Sequence, residues 1–420
     1  MTRDVCVPDP APDEQGRADG LDAIGQPTPL PIPQPLVRGR GTGWRIAHRF
    51  ETDRRERTDD GWPGEAEAAP ADAGDGPQRG PATSVRFEQA GRILSRNDSP
   101  DVPFDLAINP YRGCEHGCIY CYARPTHSYL NLSPGLDFET RLVAKVNAAE
   151  RLRAELARPG YRPSPINIGS ATDAYQPIER SQRLTRALLE VLDETRHPAT
   201  LVTKSGGIVR DLDLLARMAA RQQVLVFVSV TSLDARLSAR LEPRAAAPAR
   251  RLAAIRALAD AGVWVGVNVA PLIPFVNEPE IERILEAAAE AGARSAHWTV
   301  VRLPWEVAPL FRDWLQAHFP DRADRVMARI RDMRGGRDYE ADFATRMKGQ
   351  GAWAALLRQR VEKGAARVGL VRQTPVLDVS AFVPPPKPVT RPLTQRVEAT
   401  AGDATGHAGG GRDDPQHELF

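Results

Sequence analysis

The chain has 420 residues, and Lys+Arg 56 against Asp+Glu 54 leaves a net charge of only +2. This balance does not mark a nucleic-acid binder, although it leaves room for a local basic channel. No apolar run reaches the roughly 20 residues of a membrane span, the N-terminus lacks a signal-peptide core, and the 4 cysteines suit a reducing compartment. The expectation is a soluble, cytoplasmic protein without membrane contact.

Residues 1–84 are rich in Pro, Gly and charged residues and read as mostly disordered, with an extended Pro-dense stretch at 27–35. Within them, Arg38-Gly-Arg-Gly suits either a phosphate contact or a segment that docks on the body, and Trp44, Ile46 and Phe50 imply packing over 38–51. A short entry strand is expected at 85–87, and a strand at 106–109 leads into a cysteine-rich loop. Phe138, Leu142, Val146 and Leu152 recur near helical spacing, so 137–156 is expected as a helix stopped by Pro159-Gly.

A repeated alternation follows. Strands are expected at 166–169, 200–204, 224–230, 263–270 and 295–301; helices at 179–195, 212–221, 248–261, 278–291 and 306–318. Counted from Leu106, this makes six strand–helix units. Runs of β-branched residues mean strands buried on both faces and therefore parallel pairing. Six units suit a partial (β/α)6 TIM-like barrel better than the eight of a closed one. The barrel would span 85–320, a helical extension 321–385, and a disordered tail 386–420.

Cys114, Cys118 and Cys121 are spaced C-x3-C-x2-C between Asn109 and Pro125, and the fourth cysteine, Cys6, lies in the N-terminal tail. Three is an odd number for a disulfide framework. Zinc held by the three thiols and His116 is one reading, but no second ligand pair follows at zinc-finger spacing. Gly113 and Gly117 argue against a helix carrying core cysteines. An iron–sulfur cluster held by thiolates fits the spacing better than zinc, and three ligands would leave one iron open.

C-x3-C-x2-C with Tyr120 before the last cysteine resembles the signature of the radical S-adenosylmethionine (SAM) superfamily. Asn109-Pro-Tyr-Arg-Gly-Cys, Thr172-Asp-Ala-Tyr-Gln-Pro and Thr203-Lys-Ser resemble its spore photoproduct lyase-like branch, often labelled "DNA repair photolyase-like". Asn97-Asp-Ser-Pro-Asp, Arg124-Pro-Thr-His, Leu132-Ser-Pro-Gly-Leu-Asp-Phe-Glu-Thr and Arg334-Gly-Gly-Arg-Asp resemble an uncharacterised bacterial subfamily of that branch. The resemblance implies a partial barrel, a [4Fe-4S] cluster on Cys114, Cys118 and Cys121, and SAM at the open iron. It implies reductive cleavage of SAM to a 5′-deoxyadenosyl radical, fed by an electron donor such as flavodoxin or ferredoxin. Spore photoproduct lyase returns hydrogen from a cysteine near the loop after the second strand, but the matching stretch here, Ile168-Gly-Ser-Ala-Thr-Asp, has none. No catalytic residue is therefore assigned, and the substrate stays open, with nucleic acid a candidate.

In parallel α/β folds, sites form at the carboxyl ends of strands. The informative residues fall there: the cysteines, Ser170, Thr172, Asp173, Lys204 and Ser229. By resemblance, Ser170, Thr172 and Asp173 meet the SAM amino group; Asp173 equally suits a turn cap before Tyr175. A buried amine such as Lys204 needs an acid, and the SAM carboxylate is a fitting one. Ser229 suits ribose or carboxylate, Tyr122 the adenine or substrate side, and Tyr120 shielding of the cluster. Arg244 suits either an anion or a surface pair with Glu242, and His116 a solvent-facing loop. A narrower option keeps radical SAM chemistry on damaged DNA or RNA, with a groove lined by Arg244–Arg251 or Arg334–Arg337. The competing reading is a non-enzymatic zinc or iron–sulfur module that binds nucleic acid. The gathering of polar residues at strand ends and the low net charge weigh against it.

Overall fold

The computed structural model describes residue 37, residues 39–51 and residues 81–386. Cys6, the Pro-dense stretch, Arg38 and almost all of the proposed C-terminal tail lie outside them. The strands are β1 Ser84–Glu88, β2 Ser95–Arg96, β3 Leu106–Ile108, β4 Tyr111–Arg112, β5 Arg141–Lys145, β6 Ile166–Ile168, β7 Ala199–Thr203, β8 Val224–Ser229, β9 Trp264–Leu272 and β10 Ser295–Val300.

Six strands run parallel in the order β10-β9-β8-β7-β6-β3, with β2 added antiparallel beyond β3. Buried β-branched residues such as Val226, Val228, Val265 and Val267 run through the middle of this sheet. The order never reverses, so the right-handed crossovers wind one way and leave a concave interior face. This is the winding of a barrel, not of a doubly wound sheet. β10 and β2 remain unjoined edges of the sheet, so the barrel is partial.

The expected helix over 137–156 is instead a helix Leu136–Thr140, strand β5, and a helix Ala148–Leu156. Leu142, Val143 and Ala144 pair in parallel with β1, and Val143 and Ala144 also pair antiparallel with β4. A short run cannot be read as helix or strand from periodicity alone, and cross-strand partners decided it. The 179–195 helix is likewise broken, at Arg183, whose φ is 52°.

The interior has a floor. Register puts Phe227, Gly266 and Ser295 on one level, and Ser229, Asn268 and His297 on the next. A Cβ on Gly266 would lie 2.6 Å from Ser295 Oγ and 2.7 Å from the Phe227 ring. Its absence lets Phe227 lie across the interior, meeting His297 edge-on with ring centroids 5.2 Å apart. The polar level opens above this pair.

Side chains span the gap between the edges of the array. Arg334, in the extension after helix Ala323–Asp332, is fully buried and donates to the carbonyls of Val301 (2.8 Å) and Arg346 (2.6 Å). Arg346, pinned beside β10 in this way, makes a two-pronged pair at 2.5 and 2.6 Å with Asp101, in the loop ahead of β3.

Candidate functional site

β3 ends at Ile108, and the chain turns at once into the cysteine loop. Asn109 fixes the neighbouring loop after β6: its amide donates to Ser170 Oγ (3.2 Å), and its Oδ1 accepts from the N–H groups of Ala171 (2.9 Å) and Thr172 (3.3 Å). Gln176 grips the cysteine loop, donating to Gly113 O (3.1 Å) and accepting from Glu115 N (2.9 Å).

Below the loop, Arg124 is fully buried and uses its planar fork of donors to the full. It donates to the carbonyls of Cys118 (3.0 Å), Gly135 (2.9 Å) and Gly117 (3.2 Å) and pairs with buried Glu139 at 2.5 Å. From outside, residues 39–51 form a strap over the same loop. Arg40 Nη1 donates to Glu139 O (2.9 Å), Gly41 N to Glu139 Oε2 (2.8 Å), and Leu136 N to Trp44 O (3.0 Å). Gly117 has φ +66° and lies so close beneath Gly41 that a Cβ on Gly41 would sit 1.8 Å from its carbonyl oxygen. Arg40 and Gly41 are thus a docking segment.

The loops enclose a cavity of about 300 Å³ at the carboxyl ends of the strands. Cys114, Cys118 and Cys121 line it, together with Tyr120, Tyr122, Ser170, Thr172, Asp173, Lys204 and Ser229. Every residue singled out in the sequence as a cofactor contact or metal ligand therefore reaches one space. Burial pushes the Cys118 thiol up to about 12 and that of Cys114 well above its ordinary value, so unligated thiols here stay protonated. Ligation to iron supplies the positive charge that a buried thiolate lacks. Among the described residues, no three of His, Cys, Asp and Glu converge on a single ion.

Asp173 is saturated. Its Oδ1 accepts from Thr203 Oγ1 (2.7 Å) and Tyr175 N (2.8 Å), and its Oδ2 accepts from Lys204 N (2.7 Å) and lies 3.3 Å from His116 Nδ1. Burial alone would raise its pKa, but His116 and these hydrogen bonds outweigh it and hold the carboxylate far below the usual range. It caps the turn before Tyr175 and ties that turn to the end of β7. His116 is 2 % exposed, not solvent-facing, because this carboxylate draws it inward. Thr172 Oγ1 donates to Tyr111 O (3.1 Å), and Tyr122 OH to Ser170 O (2.5 Å).

Lys204 is different: among the described residues its Nζ has no hydrogen-bonded acid, and it lies 5.9 Å from the centroid of the Tyr120 ring. Burial would lower its pKa, but Cys118 and Glu242 outweigh that and hold it above the ordinary value, so the amine is charged. Tyr120 OH donates to Glu242, which is paired with fully buried Arg251. Ser229 O accepts from Arg251 Nη1 (3.1 Å), which fixes the end of β8. Arg244 pairs with Glu115 at 3.0 Å and not with Glu242, whose carboxylate Arg251 already occupies. The two arginine runs offered for nucleic acid each lose an end member, since Arg251 and Arg334 are both 1 % exposed.

Sequence reasoning passed over Asn109 and Gln176, gave Arg124 no role, and missed Arg302 and Arg346, which also line the cavity. Arg124-Pro-Thr-His stood out as a motif, but only its distance partners reveal a scaffold. Tyr175, next to the Asp173 turn, does not line the cavity; its ring lies beneath Arg210.

Comparison with known proteins follows the same outline. Residues 108–288 match the Radical SAM superfamily. An uncharacterised protein of Mycobacterium tuberculosis is 36% identical over 226 residues, which cover 53% of this chain and 66% of that protein. One of Methanocaldococcus jannaschii is 28% identical over 173 residues, 41% of this chain and 62% of the relative. Among solved structures, spore photoproduct lyase complexed with dinucleoside spore photoproduct is similar at 17% identity and a TM-score of 0.45, covering 69% of this chain and 82% of that one. No helix among the described residues is long and apolar enough to cross a membrane.

Proposed function

The chain belongs to the radical SAM superfamily through residues 108–288, and from that premise we propose that it is an enzyme which holds a [4Fe-4S] cluster on Cys114, Cys118 and Cys121 and binds SAM beside it. The observation that carries the reading is one cavity lined both by three thiols and by a charged amine, Lys204, with no hydrogen-bonded acid among the described residues. Bound together, cluster and SAM supply reductive C–S cleavage and a 5′-deoxyadenosyl radical, chemistry that belongs to the cofactors.

The chain's own residues do the rest. Cys114, Cys118 and Cys121 would hold the cluster through their thiolates. Lys204 supplies a cation for the SAM carboxylate, removing the cost of a lone buried charge. Gly169, at φ +90°, lets the backbone turn where a Cβ would lie 2.8 Å from Val202 O, which keeps the loop after β6 low against the cavity. Asp173 contributes through the shape it gives that loop, since its oxygens are occupied. Tyr120, buried and held by Glu242, fills space beside Cys118 and excludes water. A small electron-transfer protein of the flavodoxin or ferredoxin class would supply the electron.

The test is anaerobic reconstitution with iron and sulfide, followed by dithionite and SAM. The expected result is about four irons per chain and 5′-deoxyadenosine by mass spectrometry. Stoichiometric zinc with no 5′-deoxyadenosine would overturn the reading.

A further inference from the structure

The cavity wall carries four basic side chains, His116, Lys204, Arg302 and Arg346, against one carboxylate, Asp173. Two of these are spent: His116 on Asp173 at 3.3 Å, and Arg346 on Asp101 at 2.5 and 2.6 Å. Lys204 and Arg302 are left without an acid among the described residues, and SAM brings only one carboxylate. Arg302 follows β10, on the wall farthest in strand order from β3 and the cysteine loop, and its guanidinium carbon lies 4.5 Å from the centroid of the Tyr122 ring. Its charge is felt next door: burial and then Arg302 push the Arg334 guanidinium down to about 10.

Near Arg302 the wall is polar and unspent. The side chains of Asn268 and Thr299 line the cavity and make no hydrogen bond among the described residues. Asn167, only 5% exposed, also lines it with a buried, unpartnered Oδ1. A buried polar group without a partner is costly, and Asn167 is one, so this wall calls for a ligand that satisfies it. A guanidinium seated against a ring presents a planar fork of N–H donors, the shape that pairs two-pronged with an oxyanion.

We propose that Arg302 anchors the substrate, and that the substrate carries a compact oxyanion, a carboxylate or a phosphate, beside groups that hydrogen-bond to Asn268 and Thr299. This rests on the reading above in giving Lys204 to the cofactor. The anion site itself needs no cluster, so its test is independent of cofactor loading.

The experiment titrates the full chain, anaerobic and reduced, with inorganic phosphate and separately with acetate, following heat by calorimetry and the melting temperature. Saturable binding is expected, weakened at least about tenfold by Arg302→Gln and partly restored in Arg302→Lys. Tighter phosphate binding assigns a phosphate group, tighter acetate binding a carboxylate, and both support the site. Two outcomes overturn it: no saturable binding of either anion, or binding that Arg302→Gln leaves unchanged, whether held at Lys204 or as an adventitious ion only. The melting temperature of unliganded Arg302→Gln shows whether the variant folds, and Arg302→Lys keeps the test alive if it does not. Failure of the cofactor reading shows separately, as absent 5′-deoxyadenosine with the anion titration unchanged.

Discussion

The guanidinium of Arg302 lies 4.5 Å from the centroid of the Tyr122 ring, joining the residue after the third cysteine to the far end of the parallel array. A cation over an aromatic face contributes about 0.5–2 kcal/mol, depending on desolvation. Tyr122→Phe keeps the face and Tyr122→Leu removes it. Phosphate affinity is therefore expected to hold within about twofold in the first and fall by about two- to tenfold in the second, read by calorimetry. Equal losses in both would show that the hydroxyl bond to Ser170 O, not the ring, places Arg302.

Cys118→Ala should abolish cluster retention. The measurement is iron and sulfide per chain after reconstitution and desalting. Because the variant deletes a small buried side chain, its melting temperature should change little compared with its loss of iron. Iron retained at the wild-type level would sink the ligand assignment.

The Arg124–Glu139 pair is fully buried, and Arg124 also holds the carbonyls of Gly117, Cys118 and Gly135. Removing one partner of a buried pair costs about 3–5 kcal/mol, because the other charge stays behind. Arg124→Met should lose that much in urea unfolding. Arg124→Lys should recover only part of it, since an ammonium cannot reproduce the fork.

Two nearby glycines separate strain from collision. Gly39 has φ +76° with open space around its missing Cβ, whereas a Cβ on Gly41 would meet Gly117 O at 1.8 Å. Gly39→Ala should cost about 1–2 kcal/mol, and Gly41→Ala should lift the strap. Limited proteolysis within 39–51 is expected to quicken in the second variant alone.

Acid should destabilise the fold through its buried histidines. Burial holds His127 and His197 down to about 4 each. His197 is fixed as the neutral ring, with Nδ1–H donating to Pro198 O at 3.0 Å and Nε2 accepting from Tyr161 OH at 2.8 Å. Between about 4 and the ordinary 6.5, the unfolded chain binds protons that the folded chain refuses, so stability falls as pH drops through that window and is flat above it. Urea unfolding at pH 7.5 and pH 5 checks the sign, and His197→Gln should reduce the slope.

The six strand–helix units, their parallel pairing and the gathering of chemistry at their carboxyl ends were legible because each rests on local pattern: β-branched runs, stop signals and a cysteine spacing. β5 was not, because Leu142 and Val143 fit either period until β1 and β4 lie beside them. The polar scaffold was opaque for the same reason at longer range. Arg346 and Asp101 are 245 positions apart, and Gly41 and Glu139 98. An arginine on a helix face and an arginine buried among carbonyls look alike in one dimension, which is why Arg251 and Arg334 read as surface charge. Asp173 stood out correctly as special, but only its four partners show that it is already saturated.

The strap over the cysteine loop has a consequence for traffic. With Gly41 seated on Gly117 and Arg40 reaching in to Glu139, the outer side of the loop is shut. Iron entering or leaving the proposed site would then pass through the cavity, whose lining includes Tyr122, Arg302 and Arg346. A molecule parked at Arg302 would act as a stopper, slowing the stripping of iron by a chelator without touching a single thiol.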